Sequence, residues 1–168
     1  HYAREASADG FIIPDLPLEE ADEFQSILNA GRVDGDGFRY TENATQPSPS
    51  YRDLPLIQML APTSPNERME MIARNAKGFI YLVSVTGVTG ARTTISDGLG
   101  NLIQRVREHT SVPVCVGFGI STPEQAKQVG KLADGVIVGS ACVKMIGASE
   151  QPVETAKQFA SEFRSALK

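Results

Sequence analysis

Apolar positions along the chain switch repeatedly between short continuous runs and spacings of three and four, so strands are expected to alternate with helices. Gly10-Phe11-Ile12-Ile13-Pro14 is a short apolar run closed by Pro14-Asp15, and Leu18 to Ala30 follows with Ala21, Phe24 and Leu28 at helical spacing. Leu56 to Leu60 reads as a second strand. After it, Ser64 stands at an N-cap position, Pro65 at the first helical position and Glu67 where a capping box needs it. Met69, Ile72, Ala73 and Ala76 carry that helical stripe. Phe79 to Val83 is a third strand, apolar throughout, as a sheet covered on both faces requires. Leu99, Leu102, Ile103 and Val106 mark the next helix, and Val112 to Val116 the fourth strand. Thr122, Pro123 and Gln125 repeat the cap, proline and box pattern. Gly135 to Val138 is the fifth strand, and Ser140 to Ile146 a short helix. A last helix runs from Pro152 to Leu167, with Val153, Ala156, Phe159, Ala160, Phe163 and Leu167 on one face.

Strict alternation of this kind means an α/β fold with parallel strands. Two architectures satisfy it: an open doubly wound sheet, or part of an eightfold barrel. A full (β/α)8 barrel takes roughly 250 residues, and five-eighths of that is about 155. The 168 residues therefore suit a partial (β/α)8 TIM barrel of five C-terminal strand–helix units. The whole chain, 1–168, is expected to form one incomplete barrel domain. The segment 31–55, rich in Gly, Pro and Ser, is longer than the usual connection of about 2–6 residues and reads as a disordered surface insertion. The start at His1, without Met and within helical pattern, suggests a piece of a longer protein.

Composition narrows the function. Hydrophobic residues at 41% and charged residues at 21% fit a globular chain rather than a disordered one. Sixteen Lys and Arg against 20 Asp and Glu leave −4, with no dense basic stretch, so no nucleic-acid partner is expected. No run reaches the roughly 18–20 apolar residues of a membrane helix, and no signal peptide is legible, so no membrane partner and a cytoplasmic location are expected. The Asn43-Ala44-Thr45 triplet, a glycosylation pattern, carries little weight in that setting. Cys115 and Cys142 are too few for a disulfide framework or metal cluster, and both read as core; no metal is expected. His109 reads as a helix-end cap. Asp15, at a strand end, either faces a ligand or caps the next helix.

Three glycine clusters follow strands: Gly87 and Gly90 within Val85–Arg92, Gly117-Phe118-Gly119, and Gly139-Ser140. Glycine lets backbone N–H groups approach a ligand closely. A helix starting at Ser140 would aim free N–H groups at the strand mouths, which favours an anion. Barrels often bind phosphate there, between the loops after the last two strands and a small extra helix. A dinucleotide fingerprint fails at Thr122, where a third glycine is needed, and no cluster ends in the Gly-Lys-Ser/Thr of a nucleotide loop. The Val85–Ser96 stretch is long and Thr-rich, with Gly87 and Gly90 as possible hinges, so it suits a lid.

Several stretches occur in a telling order: Ile13–Pro17, Leu60–Ser64, Tyr81–Arg92, Gly117–Ser121 and Asp134–Ser140. Together they resemble the tryptophan synthase alpha subunit, across the whole chain except 31–55. The Ser84 to Ala91 loop is specific to that family, whereas Gly-Phe-Gly and Gly-Ser are shared by many phosphate-binding barrels. The resemblance implies a cofactor-free lyase that splits indole-3-glycerol phosphate into indole and glyceraldehyde 3-phosphate. It also implies a pyridoxal-phosphate beta subunit as partner, acting in tryptophan biosynthesis. By the same resemblance Gly90, Gly117, Phe118, Gly119, Gly139 and Ser140 hold the substrate phosphate. Tyr81 lies at the substrate, Thr89 in the closing loop, and Ile12 and Ile137 line the indole pocket. Ala61 to Ser64 falls on the side facing the beta subunit.

The departure from the family concerns its two catalytic carboxylates. In the family barrel they belong to the second strand and the loop after it, which would precede His1, whereas Asp15 follows the strand that would be the family's fourth. No catalytic residue is therefore expected within these 168 residues, only the supporting Tyr81 and Thr89, and the piece alone is expected to be inactive. A plastid location also stays open. So do two alternatives: another phosphate-binding barrel enzyme, or a non-catalytic chain that only binds a beta subunit.

Overall fold

The computed structural model describes residues 6–30, 54–83, 97–117 and 119–168, without the side chains of 27–30 and of Asp97. Several expectations lie outside the described residues: Leu28 on its helix face, the insertion over 31–53 with Asn43-Ala44-Thr45, the 84–96 loop with Thr89 and Gly90, and Phe118. The chain divides into two compact units, 1–58 and 59–168.

In the first unit, β1 (Phe11–Ile12) and β2 (Leu56–Leu60) run parallel over Phe11–Leu56 and Ile12–Ile57, with α1 (Leu18–Ala30) between them in sequence. The first strand is shorter than the apolar run 10–14. Ile13 leaves the ladder because its carbonyl accepts the Leu16 N–H of a turn, and Pro14 has no N–H to donate. The Phe11 and Phe24 rings meet edge to face at 5.9 Å, which fastens α1 to β1. Gln25 fastens it to the entry of β2: its Nε2 donates to Leu54 O at 3.0 Å and its Oε1 accepts Leu56 N–H at 3.3 Å. Leu54, at the end of the segment read as an insertion, is buried, and the Pro55 carbonyl accepts Phe11 N–H.

In the second unit, β3 (Ile80–Val83), β4 (Val114–Gly117) and β5 (Gly135–Ile137) form parallel ladders, Ile80 to Val83 against Val114 to Gly117 and Cys115 to Gly117 against Gly135 to Ile137. The helices are α2 (Asn66–Asn75), α3 (Asp97–Arg107), α4 (Pro123–Gly130), α5 (Ser140–Gly147) and α6 (Pro152–Ala166). The fourth strand starts two residues later than its apolar pattern: Pro113 cannot donate, and its carbonyl takes the Ile80 N–H instead.

The two faces of this sheet differ. Ile80, Leu82, Val114 and Val116 have no exposed surface and point to the helix side, where Met69, Ile72, Ile103, Val106, Ala126 and Val129 are also buried. Tyr81, Val83, Cys115 and Ile137, on the alternate positions, stay half-buried. Among the described residues, the helices cover the Ile80 and Leu82 face of β3, and the Tyr81 face keeps part of its surface exposed.

Two local readings also change. Thr122 forms the expected capping box: its hydroxyl accepts Gln125 N–H while Gln125 Oε1 accepts Thr122 N–H. Ser64 forms none. Its hydroxyl is taken by Ala61 N–H at 3.2 Å within a tight turn, so α2 begins at Asn66 without a side-chain cap. On α6, Phe159 and Phe163 stack at 4.4 Å and are buried, but Val153, Ala160 and Leu167 are exposed. The buried seam is narrower than the six-residue stripe, because the pair of rings fills the contact by itself. Among the described residues no helix is long and apolar enough to cross a membrane.

Candidate functional site

The C-terminal ends of β3, β4 and β5 bring three expected site residues together: Tyr81, Gly117 and Ile137. Gly117 is the Cα partner of Val83 on one side and Ile137 on the other. Tyr81 lies two positions before Val83 and so shares its face. A Cβ placed on Gly117 would stand 2.6 Å from Tyr81 Cε2, 2.7 Å from Tyr81 Oη and 3.0 Å from Ile137 Cβ. The phenol ring therefore occupies the side-chain place of Gly117, and its hydroxyl sits at the strand mouth.

The glycines here have different reasons to be glycine. Gly117 is required by the tyrosine above it. Gly119 has φ 79°, a left-handed backbone that an L side chain resists. Gly139 has neither reason among the described residues: its φ is −107° and a Cβ on it would meet none of them within 4 Å. It stands directly before α5, whose N-terminus has no side-chain cap among the described residues, and Ser140 opens that helix in an exposed position. Uncapped N–H groups and the positive end of the helix dipole suit an anion in the space that Gly139 leaves open.

At the opposite end of β5, Asp134 ties three segments together. Its carboxylate accepts Val114 N–H at 2.9 Å and pairs with Arg107 at 2.9 Å, beyond which Arg105 bonds Asn66 on α2. The Val114 hydrogen bond first, then that from Arg107, holds the Asp134 carboxyl below its ordinary value. Cys115 lies half-buried on the Tyr81 face, and burial, followed by the Asp134 charge, pushes its thiol up. Sequence reasoning missed the Asp134 clamp, since an Asp before a strand looks like any turn residue until Arg107 arrives from another element.

Ile12 belongs to the first unit and is 46% exposed. Asp15 is exposed in the turn after β1, and Pro17, not Asp15, directly precedes α1. His109 lies beyond the end of α3, where its N–H closes a turn on Val106 O. Cys142 is half-buried on α5. Among the described residues no group of three or more His, Cys, Asp or Glu is placed to hold a metal.

The family model of the tryptophan synthase alpha chain matches residues 40–168. The chain belongs to the tryptophan synthase alpha chain family. The match begins inside the segment read as an insertion. A tryptophan synthase alpha chain from Picosynechococcus is 44% identical over 165 residues, covering 96% of this chain and 54% of its own length. One from Arabidopsis thaliana is 39% identical over 168 residues, covering 98% of this chain and 54% of its own length. The chain thus spans about half the length of the curated relatives it matches. Among solved structures, tryptophan synthase subunit alpha from Campylobacter jejuni superposes with TM-score 0.74 at 27% identity, over 96% of this chain and 56% of that one. A structure from Aquifex aeolicus superposes with TM-score 0.72 at 32% identity, over 99% and 53%. The fold is accordingly a partial (β/α)8 barrel, and the doubly wound alternative falls.

Proposed function

We propose that this chain carries the phosphate-binding part of a lyase that cleaves indole-3-glycerol phosphate to indole and glyceraldehyde 3-phosphate. The observation that supports it most is Gly139, a glycine without a backbone or packing reason, next to an uncapped helix N-terminus. In this reading Gly139 and Ser140 hold the phosphate with Gly119, and with Phe118 and Gly90 from outside the described residues. Gly117 belongs to the same cradle. Tyr81 and Ile137 meet the indole end of the substrate, with Thr89 in the closing loop. The chain uses no cofactor, and pyridoxal phosphate belongs to a beta subunit that approaches the Ala61–Ser64 turn. The protein works in the cytoplasm or a plastid.

The chemistry needs a proton placed on the indole ring and another taken from the glycerol hydroxyl. Each such transfer contributes about 10²–10⁴-fold. No carboxylate of this chain matches the family's acid–base pair. The 168 residues by themselves are therefore expected to bind the substrate's phosphate and to release indole no faster than background. A titration with inorganic phosphate and with indole-3-propanol phosphate, read at the Gly139 and Ser140 amide signals, tests the reading. Perturbation by both ligands, stronger with the indole compound, supports it. Preference for a ribose phosphate would point to a different barrel enzyme, and no response to any phosphate would end it.

A further inference from the structure

The interior-facing row below Gly117 repeats the same device one strand over. Tyr81, Cys115 and Gly135 are successive Cα partners across β3, β4 and β5. A Cβ on Gly135 would lie 2.7 Å from Cys115 Sγ and 3.6 Å from Cys115 Cβ. The thiol therefore leans onto β5 and fills the side-chain place of Gly135, as the phenol of Tyr81 leans onto β4 and fills that of Gly117. Each large side chain is received by a glycine on the next strand. Cys115 stands beside Tyr81 in the same row, where partner strands are about 4.8 Å apart.

We propose that Gly135 is a positioning residue for the Tyr81 hydroxyl, acting through Cys115. With no side chain, Gly135 accepts the thiol and keeps it off Tyr81. A methyl group there would force Sγ into another staggered position. The side of Cys115 away from β5 is β3, where Tyr81 stands, so the displaced thiol crowds the phenol ring and tips its hydroxyl from the strand mouth. This rests on the reading that Tyr81 meets the substrate, since only then does the tilt matter to function. It adds a residue two strands from Tyr81.

The test labels the 168-residue chain with 3-fluorotyrosine and assigns the Tyr81 fluorine signal by its loss in Tyr81→Phe. Gly135→Ala is expected to move that signal, and Cys115→Ala added to it is expected to bring the signal back. A merely structural glycine would give a destabilised chain whose Tyr81 signal is not restored by shortening Cys115. An unmoved signal in folded Gly135→Ala, or one that the second change does not return, overturns the proposal. If Gly135→Ala does not fold, Cys115→Val decides instead. Its second γ-carbon cannot share the spot over Gly135 and must crowd Tyr81, while Cys115→Ser must leave the signal in place. The opposite result overturns the proposal. Indole-3-propanol phosphate added to the unsubstituted chain reports separately on the proposed function. A Tyr81 signal deaf to that ligand removes the substrate reading, while the substitution series still shows whether Gly135 sets the ring.

Discussion

Val114 and Asp134 bond each other twice: Val114 N–H donates to Asp134 Oδ2 at 2.9 Å, and Asp134 N–H donates to Val114 O at 3.0 Å. The pair joins the start of β4 to the start of β5, and the Arg107 ion pair adds the end of α3. In barrels this end of the strands serves stability, while chemistry gathers at the other.

A pH dependence follows from that clamp. The Asp134 carboxyl is lowered in the folded chain by its Val114 and Arg107 bonds, against about 3.9 when unfolded. Its contribution is therefore complete above pH ~4 and is lost as pH falls through the lowered folded value. Because the side chain is 44% exposed, solvent screens the pair, and about 1 kcal/mol is the most to expect. Asp134→Asn should cost up to that at pH 7 and flatten the acid limb. Urea unfolding at pH 6 and pH 3 checks it. Equal losses for both proteins between the two pH values would mean that the charge is idle.

Gly117→Ala should cost about 1–3 kcal/mol, because the new methyl would stand 2.6 Å from Tyr81 Cε2, which must shift to receive it. Tyr81→Leu in the same chain should return a large share of it. Tyr81→Phe should return little, since Cε2 at 2.6 Å remains when Oη is removed. The coupling is readable from a double-mutant cycle in urea. A Phe variant that rescues as well as Leu would put the clash at the hydroxyl rather than the ring.

The two capping sequences give opposite expectations. Gln125 Oε1 accepts both Ser121 N–H and Thr122 N–H, and Thr122 returns the bond to Gln125 N–H. Thr122→Ala should cost about 1 kcal/mol. Glu67→Ala should fall within about 0.5 kcal/mol of the parent, because α2 has no box to lose. Thermal unfolding of the two variants side by side measures the contrast.

That contrast also shows what sequence could deliver. Ser64-Pro65-Asn66-Glu67 and Thr122-Pro123-Glu124-Gln125 carry the same signature. Only the three-dimensional turn decides that the Ser64 hydroxyl is already engaged with Ala61 N–H. The strand–helix order was legible because period-2 and period-3.6 patterns alternate cleanly, and Leu56–Leu60 and Leu18–Ala30 fall on their read boundaries. Strand starts were less legible where Pro14 and Pro113 remove a ladder donor without interrupting the apolar run. The glycine clusters were visible, but their separate causes were not. Gly117 answers to a tyrosine on another strand, and no local pattern encodes that. Gly135 and Asp134 were hidden for the same reason: each matters through a residue one strand away.

Gly139 provides the sharpest test of the site. Its φ of −107° suits any residue, and among the described residues a Cβ would meet nothing within 4 Å. Gly139→Ala should therefore leave urea stability unchanged within about 0.5 kcal/mol. Gly119→Ala, by contrast, must hold an L residue at φ 79°, at a cost of about 1–2 kcal/mol. If the open space over Gly139 is where a phosphate approaches the backbone of α5, the added methyl keeps the anion from its N–H donors. Hydrogen bonds to a charged group contribute about 1.5–3 kcal/mol each, so losing one should weaken phosphate binding by about 10–100-fold. Calorimetric titration of parent and variant with inorganic phosphate, beside their urea curves, separates the two effects. A variant that keeps both its stability and its phosphate affinity would leave Gly139 without a function, and with it the main support for phosphate at the head of α5.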